Sequence, residues 1–229
     1  MTTQPERIFL TGGSGRLGAE FAEAMSLKIR QTTIPEVLLV EPQVFADPRG
    51  FFLETFHRTK YAEAGLDKVF VQDNHSRSCK GTIRGLHYQL PRPQGKLVYI
   101  VTGEIFDVAV DIRRGSPHFG KWAGQILSES NKRQFYIPPG FAHGFCVLSE
   151  IADVTYKCTE LYSPSDDRGI LWSDDAIGID WPSVEPLLSD KDAHNPPLSE
   201  LSEAALPVYY GPSSAKTAVN LYSPGISNR

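Results

Sequence analysis

The sequence predicts a mainly β protein, an antiparallel sandwich or barrel with a few short helices. Three observations carry this expectation. From residue 27 to about Trp181, short apolar or alternating runs recur, broken by turn signals such as Pro48-Arg49-Gly50, Thr102-Gly103-Glu104 and Pro138-Pro139-Gly140. Within the runs side chains alternate, as in residues 71–77, where Gln72, Asn74 and Ser76 share one face. Residues 97–101 and 105–111 flank Gly103, where glycine accepts the positive φ of a tight turn, so the sequence predicts a hairpin there.

The elements follow in order. Residues 7–25 read as one strand and one helix around Gly12, Gly15 and Gly18, the layout of a dinucleotide-binding turn. Such a turn needs a parallel sheet behind it, and the pattern stops after one strand and one helix. Residues 1–26 are therefore read as an N-terminal extension resembling a Rossmann fragment, with no nicotinamide binding expected. A β domain is expected over residues 27–200, with a short helix at 59–65 stopped by Gly65. A further short helix is expected at 198–206. Residues 201–229 read as a tail, whose last part, from Pro207 onward, shows no periodicity.

Composition narrows the function classes. The 229 residues carry 23 basic and 27 acidic side chains, a net charge of −4, without a long basic run, which argues against nucleic-acid binding in bulk. No apolar stretch approaches the roughly 20 residues needed to span a bilayer, so no membrane partner is expected. The first residues lack the apolar segment and cleavage site of a signal peptide. Cys79, Cys146 and Cys158 have no CxxC spacing and leave one unpaired, which suits a reducing compartment. A cytoplasmic protein is expected.

The polar residues inside apolar runs point to a pocket. Arg84, His87, Gln89, Lys96 and Asp107 stand among strand-like residues, and buried polar groups are costly unless partnered. Strict alternation sends Arg84 and His87 to opposite faces. If both serve one pocket, Gly85 must permit a bulge. Asp107 lies on the opposite parity from Phe106, Val108 and Val110, so it is exposed or paired, with a histidine as the expected partner. Tyr156, Cys158, Glu160 and Tyr162 share a face, a pattern that amphipathic packing also produces. Histidines on a small β-barrel raise the cupin architecture and its metal. The first cupin motif is H-x-H, but here Gln89 follows His87; Pro138, Gly140 and His143 match the second motif, whose downstream Asn is Val147. Too few ligands remain for a tight site, so no metal is expected.

The consecutive stretches EPQVFADPRGFFLETF, VQDNHSRSCKGTIRGLHYQ, QGKLVYIVTGEIFDVAVDIRRGSPHFGKW, YIPPGFAHGF, DVTYKCTELYSP and GIDWP followed by LSDKD resemble the dTDP-4-dehydrorhamnose 3,5-epimerases from about Leu27 to Leu198. That resemblance implies a cupin-type jelly-roll barrel, a homodimer, and no cofactor. It also implies a substrate, dTDP-4-keto-6-deoxyglucose, epimerised at C3 and C5, with a single-centre epimerase as the alternative. By the same resemblance His87 is the base, Asp192 its orienting carboxylate, Tyr156 the acid and Lys96 the cation near the enolate oxygen. Tyr162 contacts substrate, and His143 with Asp107 forms a supporting pair. Arg49 and Arg84 are expected at the diphosphate, and Phe52 and Glu54 at the thymine. Gln72, Asn74 and Ser76 are expected along the ribose, phosphate and sugar. The chemistry is coherent, because both carbons flank the C4 ketone and an enolate can form toward either.

Overall fold

A computed structural model describes residues 27–182 and 185–211. Six strands form one antiparallel sheet, in the order β1 (Lys28–Gln31), β2 (Leu38–Glu41), β10 (Gln134–Ile137), β7 (Lys96–Thr102), β12 (Ile151–Cys158) and β5 (Gln72–Cys79). Five form a second: β13 (Asp167–Gly169), β6 (Ile83–Gln89), β11 (Phe141–Val147), β8 (Glu104–Asp111) and β9 (Trp122–Ser128). The hairpin β3 (Val44–Asp47) and β4 (Gly50–Leu53) pairs only with itself. This is the expected mainly β, cupin-like barrel.

Alternation builds three apolar layers. Val98, Ile100, Ile105, Ala109, Phe135, Phe145 and Val154 pack between the sheets. The opposite parity of β6 and β8, Leu86, Tyr88, Val108 and Val110, faces outward and is covered by Ile170, Ile177, Leu198 and Leu206. Leu97 and Tyr136, outward from the six-stranded sheet, are covered by Tyr61 and Leu66. Tyr61 belongs to α1 (Arg58–Glu63), which His57 caps by accepting from Lys60 N, and Gly65 follows it at φ +105°. The helix expected at 59–65 is thus present, one residue earlier.

Two expectations need correction. Gly103 is not a hairpin turn: β7 pairs with β10 and β12, whereas β8 pairs with β9 and β11. The chain crosses from one sheet to the other at Gly103, whose φ of +83° makes a corner beside the Ile151 carbonyl. Both strands bury their inner face in the same core, and a flat hairpin would take an interior strand from one of the two sheets. The helix expected at 198–206 is two 3-10 turns, Leu198–Glu200 and Glu203–Ala205, with Leu201 extended between them. The break lets Leu198 and Leu206 both reach the barrel, and Tyr88 Oη donates to the Ala205 carbonyl at 2.9 Å.

The chain remains on the barrel beyond residue 200. Arg114 N donates to Pro207 O, Tyr209 N donates to Arg114 O, and the Arg113 guanidinium lies between the rings of Phe141 and Tyr209. The glycine-rich motif at Gly12, Gly15 and Gly18 and residues 212–229 lie outside the described residues.

Candidate active site

The conflict between Arg84 and His87 is resolved at Gly85. His143 on β11 pairs with His87, and Phe145 pairs with Arg84, so two steps along β11 span three along β6. Gly85 takes φ +136° at this bulge, and a side chain there would meet His143 O and Gly144 Cα. One extra residue restores parity. Arg84 and His87 then open on the same cleft of about 370 Å³, with Gln72, Asn74, Ser76, Lys96, His143, Tyr156 and Tyr162 also lining it.

His87 Nε2 lies 2.5 Å from Asp192 Oδ1, and Asp192 is 3% exposed. Asp192 sits in α2 (Asp190–Ala193), capped by Ser189 Oγ accepting from Asp192 N. Burial pushes the Asp192 carboxyl upward in pKa, but the His87 hydrogen bond and charge, Ser189 and the Gly85 amide outweigh it, so the group is held below the usual carboxylate range. An ionised Asp192 accepts from Nε2–H and leaves His87 Nδ1 as the free basic nitrogen.

A second pair lies deeper. His143 Nε2 is 2.8 Å from Asp107 Oδ1, and Lys96 Nζ is 3.4 Å from His143 Nδ1. Burial lowers the pKa of both Lys96 and His143; Cys158, Asp107 and Asp167 pull Lys96 back up, and Asp107 does the same for His143. A neutral His143 donates from Nε2 to Asp107 and accepts from Lys96 at Nδ1. That arrangement holds the ammonium in the cleft floor. Of the two states open to Asp107, exposed or paired, the structure shows the pair, with the expected histidine as partner.

Tyr156 stands on β12 of the six-stranded sheet, facing the His87 strand across the barrel interior. Burial pushes its phenol upward in pKa, so it carries its proton at neutral pH. Lys96 Nζ is 5.9 Å from the Tyr156 ring centroid. The row on β5 is also in place: Gln72 Nε2 donates to Asn74 Oδ1 at 3.0 Å, and buried Ser76 Oγ has no hydrogen-bond partner among the described residues. Arg84 Nε donates to Ser78 Oγ at 3.0 Å. The Tyr162 backbone N–H donates to Gln72 Oε1 at 2.8 Å, and its hydroxyl donates to Asp167 Oδ2 at 3.3 Å.

Gln89, at the position of a cupin metal ligand, is committed elsewhere. Its amide donates to the carbonyls of Arg92 and Leu161 and accepts from Ser163 N, tying two loops together.

Three expected site residues do not join this cleft. Arg49 folds onto Asp47 in the turn between β3 and β4, at 2.6 Å. Phe52 is 65% exposed, and Glu54 pairs with Lys60 and lines a separate cavity beside Leu27 and Tyr61. The reason is that β3–β4 pairs with neither large sheet, so within one chain it cannot carry these side chains to His87. Conversely, Asp167 lines the cleft and pairs with Lys191, yet sequence reasoning missed it. Its strand, DRG, is three residues long and shows no alternation to read.

A sequence model described as dTDP-4-dehydrorhamnose 3,5-epimerase matches residues 31–200. The chain belongs to this family. A dTDP-4-dehydrorhamnose 3,5-epimerase of Shigella flexneri is 61% identical over 168 residues, 72% of this chain and 93% of the relative. The crystal structure of an epimerase from Legionella pneumophila Philadelphia 1, in complex with dTDP-4-keto-L-rhamnose, superposes with TM-score 0.79 at 52% identity, covering 81% of this chain and all of that one. More distant, at 38% identity over 193 residues, is a dTDP-4-dehydrorhamnose 3-epimerase of Streptomyces niveus, matched over 83% of this chain and 93% of the relative.

Proposed function

We propose that the protein inverts C3 and C5 of dTDP-4-keto-6-deoxyglucose, with His87 as base and Tyr156 as acid. The observation that carries this reading is their placement on opposite sheets of one cleft, with the Lys96 ammonium at its floor. His87 Nδ1 takes the proton from the carbon beside the ketone. The imidazolium so formed is held by the Asp192 carboxylate at Nε2. The electron pair of the C–H bond passes to the C4 oxygen, whose negative charge Lys96 stabilises. Tyr156 then delivers a proton to the same carbon from the other face, which inverts it. Solvent restores the phenol and neutralises the imidazolium. Each inversion is an isomerisation that consumes no redox equivalent, so the cycle needs no cofactor.

Arg84 is assigned to the diphosphate, and Gln72, Asn74, Ser76 and Tyr162 to the ribose, phosphate and sugar. We also infer a homodimer, in which β3–β4 of one protomer carries Arg49, Phe52 and Glu54 to the nucleotide end of its partner's cleft. Support comes from Phe51 and Phe52, 56% and 65% exposed on a hairpin without a sheet to join. The free thiols Cys79, Cys146 and Cys158 support a reducing, cytoplasmic setting. Among the described residues no helix is long and apolar enough to cross a membrane.

The test incubates the protein with dTDP-4-keto-6-deoxyglucose in D2O. Deuterium enters at both C3 and C5, and His87→Ala slows that entry by about 10²–10⁴-fold. No exchange at either carbon would sink the reading. Exchange at C3 alone would instead select a single-centre epimerase, the activity in the name of the Streptomyces niveus relative.

A further inference from the structure

Asp192 does not belong to a barrel strand. It is carried by a strap, residues 185–196, that crosses the edge of the five-stranded sheet and is pinned at both ends. At the first end Leu187 N donates to Gly81 O, and Ile83 N donates to Leu187 O. At the second, Leu171 N donates to Pro196 O. Between these anchors α2 offers Asp192 to His87, held by the Gly85 amide, by the Lys191–Asp167 ion pair and by the seat of the strap on the sheet.

That seat is Gly169. It is the residue of β13 that pairs with His87 across the sheet. A methyl group at Gly169 would overlap Oδ1, Cγ and Nδ2 of Asn195 all at once, so the carboxamide lies flat on the bare backbone. Asn195 is three residues after Asp192, one turn further along the strap. Its Nδ2 is buried and finds no hydrogen-bond partner among the described residues, so packing on Gly169 holds this side chain rather than a polar contact. Gly169 is not among the glycines with positive φ, so a larger residue there changes the space and not the backbone preference.

We propose that Gly169 and Asn195 are positioning residues that set the approach of Asp192 to His87. The inference rests on reading His87 and Asp192 as the base and its orienting group. A methyl at 169 forces the Asn195 carboxamide off its seat, which loosens the strap and lengthens the His87–Asp192 hydrogen bond. A displacement of roughly 1 Å in a catalytic constellation can cost about 10²-fold in rate. Removing the Asn195 side chain leaves a gap instead and loosens the same contact.

The experiment is a double-mutant cycle read by deuterium entry at C3 and C5 and by the dissociation constant of dTDP. Gly169→Ala lowers kcat for exchange by about 10- to 100-fold and leaves dTDP affinity unchanged, because neither Gly169 nor Asn195 lines the cleft. Asn195→Gly lowers kcat several-fold. The double variant Gly169→Ala/Asn195→Gly recovers most of the wild-type kcat, since the methyl occupies the space the carboxamide vacated. Wild-type kcat in Gly169→Ala, or a loss that the second substitution fails to restore, overturns the proposal. Should Gly169→Ala not fold, Asn195→Gly alone decides, and an unchanged kcat there overturns it. Absence of exchange in the wild-type protein defeats the base assignment and the positioning roles together. Exchange in the wild type with indifferent variants defeats only the latter.

Discussion

At the scale of single residues, the cleft separates two tasks that a one-sided site could not. In the proposed mechanism proton removal falls to His87, whose Asp192 partner is ionised because hydrogen bonds outweigh its burial. Proton return needs a group that keeps its proton until the enolate forms, and burial gives Tyr156 that property by raising its phenol pKa. Tyr156→Phe removes the donor and leaves the base, so deuterium exchange continues from the His87 face while net inversion falls by about 10²-fold or more. Product configuration by NMR, set beside deuterium content by mass spectrometry, checks this. Equal losses of exchange and inversion would mean that Tyr156 also assists the first proton transfer. The two histidines were legible in the sequence because charged groups among apolar strand residues demand partners. Their tautomers were not, since these depend on Lys96 reaching His143 Nδ1 from another strand, 47 residues away.

At the scale of elements, alternation carried the argument as far as strands stay regular. It placed Gln72, Asn74 and Ser76 on one face, and of the two states it left open for Asp107, exposed or paired, the structure shows the pair with a histidine. It failed at corners, where a glycine's positive φ is compatible with either a tight hairpin or a change of sheet. Gly103 is the second kind, and nothing local distinguishes the two, because the pairing partners come from other strands, β10 and β12 for β7 and β9 and β11 for β8. Gly85 is the corner that matters for chemistry. Its φ of +136° and its approach to Gly144 Cα and His143 O leave no room for a side chain. Gly85→Ala is expected to lower stability by about 1–3 kcal/mol from backbone strain alone. It also parts β6 from β11, so Arg84 and His87 lose their common face and exchange activity falls with stability. Urea denaturation and the D2O assay on the same preparation test both halves. A variant of wild-type stability would mean that the bulge relaxes without cost.

At the scale of the whole molecule, the position of β3–β4 is the unsolved part of a single chain. Arg49, Phe52 and Glu54 were expected at the nucleotide, yet they stand away from the cleft that His87, Lys96, Tyr156 and the row of Gln72, Asn74 and Ser76 line. A sequence carries no mark of which copy a side chain serves, so a site shared between two copies would be invisible in it. A composite site makes a prediction that a self-contained one cannot. Arg49→Ala weakens substrate binding through the lost diphosphate contact, and His87→Ala removes the base. In a mixed dimer of the two variants, one cleft receives both defects and the other receives an intact hairpin and an intact His87. Co-expression with two affinity tags isolates that heterodimer. Its exchange rate at limiting substrate is expected near half that of the wild-type dimer, far above either parent variant. If each hairpin served its own cleft, both clefts would stay defective and the heterodimer would be no faster than the mean of the parents. Light scattering on the wild-type protein gives the prior check, since a monomer at micromolar concentration would leave the hairpin nothing to reach.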